Sequence, residues 1–229
     1  MRLFTIPFAG GSANYYSRWK RMINNNIAII PIEFTGRGNR TTEALYNNIS
    51  EAVDDIFKQI KKEIICSSYA LFGHSMGALI CFELAYLIQD CKLPMPNHIF
   101  FSGRYAPGLK NDDKAIHLFE KNDFMKEIMA MGGTDKEIFE NEELANYFIP
   151  IIKNDLRIVY EYKCEQDRLP LDCDFSIFTG KEERYSKKQI IGWSKYTTGY
   201  CKFYEFDGGH FFINTETEKI ISIINQTLN

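Results

Sequence analysis

Tyr69-Ala70-Leu71-Phe72-Gly73-His74-Ser75-Met76-Gly77-Ala78 passes from an apolar run into a Gly-His-Ser-Met-Gly turn, and an apolar, helix-periodic segment follows at once. This is G-x-S-x-G in the context that gives it meaning: a strand, a tight turn and a helix. A serine at the tip of such a turn sits in strained backbone, and the chain on either side must approach closely. Gly73 and Gly77 remove the side chains that would collide. The Ser75 hydroxyl is therefore expected at the start of a helix, where free N–H groups favour developing negative charge. Ser75 is the candidate nucleophile; the plainer alternative is a Gly/Ser turn in an α/β protein.

Working outward, strands alternate with helices. Arg2 to Phe8 reads as a buried strand ending at Ala9-Gly10-Gly11-Ser12, and Tyr16, Trp19, Met22 and Ile23 share a helical face. Ile27 to Phe34 is a second strand, followed by a Gly loop whose Arg37 and Arg40 read as structural more readily than as a phosphate anchor. Ile49, Val53, Ile56, Phe57, Ile60 and Ile64 mark an amphipathic helix, and the segment after Ser75 is apolar nearly all round. Further strands are expected at His98 to Phe101, Phe175 to Phe178 and Cys201 to Phe206. A helix with Ile190 and Trp193 and a C-terminal helix opening at a Thr215/Glu218 capping box accompany them. The pattern predicts a mostly parallel sheet with helices on both faces.

The alternation breaks at about residues 108–165, where short helical pieces replace strands. They include a Thr134/Glu137 capping box and the methionines Met125, Met129 and Met131. So long a connection suggests a helical lid on a single domain spanning residues 1–229. The methionines either line an acyl or pantetheine channel or pack the lid onto the body.

With 27 Lys+Arg against 30 Asp+Glu, the net charge of −3 provides no global basic field for nucleic acid. No apolar run of about 18 residues suits a membrane span, and no secretory leader is evident. The six cysteines lack C-x-x-C spacing and read as small buried hydrophobes of a reducing, cytoplasmic protein, with no metal site expected.

A triad in the order nucleophile, acid, histidine is the signature of the α/β-hydrolase fold. Of the four histidines, His74 would point away from the Ser75 hydroxyl, His98 starts a strand and His117 lies in the lid. His210, on a Gly-Gly turn after the final strand, is the expected base. The acid belongs in the loop after Phe178, where Glu183 is favoured; Glu182 and Asp207 are the alternatives. The oxyanion donors are assigned to the N–H groups of Ala9 and Met76.

The residues together resemble discrete type II thioesterases, the stand-alone partners of nonribosomal peptide and polyketide synthases. The resemblance runs through Pro7-Phe8-Ala9-Gly10-Gly11-Ser12-Ala13, Glu33-Phe34-Thr35-Gly36-Arg37-Gly38-Asn39-Arg40, Phe72 to Ala78, Ser102-Gly103-Arg104 and Met131-Gly132-Gly133-Thr134. Asp155, Trp193 and Gly208-Gly209-His210-Phe211-Phe212 complete it. The chain departs from the family at Thr35 (usually proline), at Lys153-Asn154-Asp155 (usually arginine-alanine-aspartate) and at Glu183 (usually aspartate). The resemblance implies hydrolysis of acyl groups from the phosphopantetheine arm of acyl or peptidyl carrier domains. It implies no cofactor of the enzyme's own, and a monomer is expected. The rivals are a medium-chain acyl-carrier or acyl-CoA thioesterase, a small-ester carboxylesterase, an acyl transferase or cyclase, and a non-enzymatic binding module.

Overall fold

The computed structural model describes residues 1–109, 114–134 and 136–229, without the Lys136 side chain. Six strands, β1 (Arg2–Ile6), β2 (Ala28–Pro31), β3 (Tyr69–His74), β4 (His98–Ser102), β5 (Asp174–Gly180) and β6 (Cys201–Phe206), form one sheet in the order β2-β1-β3-β4-β5-β6. Every pairing is parallel. Parallel strands buried on both faces need continuous apolar runs. Tyr69 and Leu71 accordingly enter one core while Ala70 and Phe72 enter the other. The register sets His74 beside Ser102 and Ser102 beside Phe178, so the loops after β3, β4 and β5 leave the same edge of the sheet. This carboxyl edge is where open α/β sheets build their sites.

One face is covered by α1 (Ile49–Cys66) and α2 (Met76–Asp90). Asn48 caps α1 by accepting from the Glu51 N–H, and the anticipated apolar stripe from Ile49 to Ile64 is buried. The opposite face carries Tyr16, Trp19 and the C-terminal helix, with Ile220, Ile221 and Ile224 inward. The structure thus has the α/β-hydrolase architecture anticipated above.

Several local expectations are corrected. The second strand is only four residues long; Pro31 lacks an N–H and is tolerated because β2 is an edge strand. The segment with Tyr16 and Trp19 is a 3₁₀ helix, Ala13–Arg21, not an α-helix. The spacing of three between Tyr16, Trp19 and Met22 suits three residues per turn. After β5, α-helical structure stops at Ile191 and continues as a 3₁₀ turn, Gly192–Tyr196, in which Trp193 stacks on Phe101 with centroids 4.1 Å apart. The Thr215/Glu218 box does not form. Thr215 ends a separate short helix and its hydroxyl donates to the Phe212 carbonyl, leaving Glu216 at the next helix's N-cap. The Thr134/Glu137 box spans residue 135, outside the described residues. All six cysteines are free; Cys81 and Cys173 are buried, but Cys66 and Cys91 are exposed, at the ends of α1 and α2.

Between β4 and β5 lie a 3₁₀ turn (Ile116–Leu118), α3 (Lys121–Met131), α4 (Lys136–Glu140) and α5 (Glu142–Glu161), with no strand among the described residues. Lys110, Asn111, Asp112 and Asp113, near the expected start of this insertion, fall outside them. Ile116, Phe124, Ile128, Phe139 and Ile152 form its own small core, and Met125, Met129 and Met131 pack against that core. No helix among the described residues is long and apolar enough to cross a membrane.

His98 shows how burial sets a titration. It is 6% exposed, its Nε2 lies 2.9 Å from the Ser176 Oγ, and desolvation pushes its pKa from 6.5 down to about 4. Between those values the unfolded chain takes up a proton that the folded chain refuses. Its contribution is therefore complete above pH 6.5 and declines as pH falls toward 4. In thermal melts, His98→Gln should show a smaller Tm difference between pH 7 and pH 4.5 than the parent. Equal differences would refute this account.

Candidate active site

Ser75 joins β3 to α2 with a φ of 55°, in the left-handed region that L-residues avoid, at a cost on the order of 1–3 kcal/mol. The bend is held from several sides. The Ser75 N–H donates to the Ser102 carbonyl at 2.8 Å. A Cβ on Gly73 would strike the backbone of Gly77, and one on Gly77 would strike the carbonyl oxygens of Ile6 and Pro7. Gly73 therefore lets the first turn of α2 lie against the end of β3, and Gly77 lets it lie against the end of β1.

His74 is fully buried, and its Nδ1 engages the Ser102 Oγ at 2.9 Å, not Ser75. Burial pushes its pKa well below the ordinary 6.5, so it is neutral. His117 lies in the insertion with its ring 5.2 Å from that of Tyr160. His210, on the loop after β6, brings Nε2 to 2.9 Å from the Ser75 Oγ and Nδ1 to 2.7 Å from the Glu183 Oε1. Assigned from these partners, the ring carries its proton on Nδ1 and accepts from the serine hydroxyl at Nε2.

Glu183 is held in turn. Its side chain is 4% exposed, and its Oε2 accepts from the Gly180 N–H at 2.9 Å. Its own N–H closes a turn onto the Gly180 carbonyl. That turn leaves Glu182 exposed, with its N–H on the Gly208 carbonyl. Asp207 is 68% exposed and paired with Lys181 at 2.5 Å, which holds its carboxyl below the ordinary range. Of the three carboxylates considered from sequence, Glu183 is the one brought to His210. The extra methylene of glutamate is accommodated by the Gly180–Glu183 turn.

On the other side of Ser75, Met76 is the first residue of α2, so its N–H has no acceptor within the helix. In the loop after β1, the Gly11 N–H donates to the Phe8 carbonyl at 2.9 Å. The Gly10 N–H donates to the Asp155 Oδ2 at 2.8 Å. Neither bond engages Ala9.

Asp155 is the residue that sequence reasoning left without a role. It is fully buried, and its carboxylate takes both ends of the Arg37 guanidinium at 2.6 and 2.9 Å, with Arg37 only 3% exposed. Arg37 also donates to the Gly11 carbonyl at 3.2 Å. The signal was present: Asp155 interrupts the buried stripe Ile151, Ile152 and Ile158 of α5, and a carboxylate there demands a charged partner. Arg40 pairs with Asp55 and Glu43. Both arginines therefore serve structural pairs, in line with the plainer of their two readings. Among the described residues no group of His, Cys, Asp and Glu converges as a metal site.

Known proteins place this geometry in context. The thioesterase domain family matches residues 1–228. The protein named linear gramicidin dehydrogenase LgrE, of Brevibacillus parabrevis, is 32% identical over 230 residues, covering 99% of this chain and 87% of its own. The human medium-chain S-acyl fatty acid synthase thioesterase is 31% identical over 228 residues, covering 96% and 84%. The crystal structure of ClbQ, from the colibactin NRPS/PKS pathway, superposes with a TM-score of 0.93 at 34% identity, covering 99% of this chain and 96% of ClbQ. The chain belongs to the thioesterase domain family.

Proposed function

We propose that this chain is a type II thioesterase that clears acyl groups from the phosphopantetheine arm of carrier domains, with Ser75, His210 and Glu183 as its triad. The observation that carries the reading is the unbroken chain of hydrogen bonds from Glu183 through His210 to Ser75. ClbQ's origin in an NRPS/PKS pathway supports the carrier-bound substrate. The helical insertion between β4 and β5 acts as the lid, and the same reading puts the enzyme in the cytoplasm with its synthase.

Ser75 Oγ attacks the thioester carbonyl carbon while its proton passes to His210 Nε2. The carbonyl electron pair moves to oxygen, and the N–H groups of Ala9 and Met76 receive the oxyanion. Collapse re-forms the carbonyl and breaks the C–S bond; the sulfur leaves with the proton from His210. A thiol, with a solution pKa near 8.5, departs with little assistance. Water, deprotonated by the same imidazole, then releases the acid from the acyl-serine. Glu183 holds the Nδ1–H tautomer and stabilises the imidazolium in both half-reactions.

The human relative's name specifies medium-chain acyl groups, which favours a fatty-acyl variant of the same chemistry as the second reading. Carrier-bound, coenzyme A and nitrophenyl esters of matched chain length would separate the two. Higher kcat/KM on the carrier supports the first; equal values on the carrier and coenzyme A support the second.

Ser75→Ala should lower deacylation of a loaded carrier by several orders of magnitude, followed by intact-protein mass spectrometry; undiminished turnover would overturn the enzyme assignment. Glu183→Gln should cost on the order of 10²- to 10⁴-fold in kcat. Asp207→Asn should stay within about twofold, since its carboxylate faces solvent. The reverse ranking would move the acid to position 207.

A further inference from the structure

The Ala9-Gly10-Gly11 loop is intrinsically loose. Gly10 adopts a φ of 77°, and two successive glycines have more conformational freedom to lose than any other pair. Yet an oxyanion donor must sit about 2.7–3.1 Å from the developing charge, and a misplacement of about 1 Å can cost on the order of 100-fold. Something outside the loop must hold it.

The restraint comes from α5. Ile152 and Asp155, one turn apart, both meet the loop. The Ile152 side chain fills the space a Cβ on Gly10 would need, and Asp155 takes the Gly10 N–H. Arg37, gripped by the same carboxylate, donates to the carbonyl of Gly11. One ion pair thus pins the N–H of the Ala9–Gly10 peptide and the carbonyl of the Gly11–Ser12 peptide, one on each side of the Gly10–Gly11 peptide. Elsewhere α5 is tied to the body away from this loop: the Asn154 side chain donates to the Tyr46 carbonyl at 3.0 Å, and Arg157 to the Asn47 carbonyl at 3.2 Å. A buried ion pair is weak evidence for stability alone, because desolvation offsets much of its attraction. This pair binds two backbone groups of the oxyanion loop in addition to its own charges.

We infer that Asp155, with Arg37, is a positioning residue: the pair sets the Ala9 N–H at the oxyanion position and so makes the docking of α5 a condition for turnover. This rests on the thioesterase reading above. The step it affects is the addition of Ser75 Oγ to the carbonyl, in which the new O–C bond forms, the carbonyl π pair becomes the oxyanion and the proton goes to His210.

The test compares the parent with Asp155→Asn, Arg37→Lys and, as a structural control, Asn154→Ala. Active serines are counted by fluorophosphonate titration to completion. Two pantetheine probes are bound to separate, untitrated samples: an acyl trifluoromethyl ketone, which forms the tetrahedral adduct, and the matching thioether, which lacks a carbonyl. Asp155→Asn should lower kcat per active serine by about 10- to 100-fold, with KM and thioether affinity changed less than about threefold. Affinity for the ketone should weaken in step with kcat/KM. Arg37→Lys keeps the charge but loses the two-ended grip and should show the same pattern more weakly, which preserves the test if Asp155→Asn folds poorly. Asn154→Ala should lower Tm and leave the ratio of ketone to thioether affinity unchanged. Unchanged kcat per active serine in both Asp155→Asn and Arg37→Lys, or equal weakening of both probes, would overturn the inference. If Ser75→Ala retained activity, the thioesterase reading itself would fail, whatever Asp155 does.

Discussion

The structure depends on a close steric approach: the first turn of α2 lies against the carbonyls that end β1, with no room for a side chain at Gly73 or Gly77. This contact drives Ser75 into positive φ and lifts it off the carboxyl edge of the sheet. Ladder pairing of β3 with both β1 and β4 leaves no slack to relax the bend. The surrounding sheet over-determines a conformation that would be unfavourable in an isolated peptide.

Around that bend, three sets of polar side chains hold one another. Neutral His74 bonds to Ser102, His210 lies between Ser75 and Glu183, and Arg37 is gripped by Asp155. A buried polar group without a partner is costly, so each set restricts where its loops can go. Aromatic contacts continue the same restriction: Phe8 meets His74 and Phe211, with ring centroids 6.0 and 4.9 Å apart. The loops from β1, β3 and β6 therefore share one packed layer beneath the site.

The insertion reaches this layer at two places. Ile152 and Asp155 of α5 meet the loop after β1, and the Phe211 ring fills the space a side chain on Gly133 would need. The insertion's methionines pack against the insertion's own core, where the plainer of their two readings had them joining lid to body. Features whose determinants are adjacent in sequence are the legible ones: the stripe of α1 and the turn around Ser75 both follow local periodicity and sterics. In the 3₁₀ segment Ala13–Arg21 apolar spacings of three and four blur together over nine residues, so its sequence does not separate it from an α-helix.

Alone, the chain's residue order determined the parallel α/β architecture and singled out Ser75 and His210 as the candidate nucleophile and base, because strand periodicity, glycine spacing and order along the chain are written in neighbouring positions. Tertiary structure decided which carboxylate reaches His210, 27 residues from Glu183, and which partner Arg37 takes, 118 residues away. Loop placement in the sequence favours Glu183 but leaves Glu182 and Asp207 open. They separate only when the Gly180 turn buries one carboxylate and leaves two in water, a difference of solvation that no local pattern encodes.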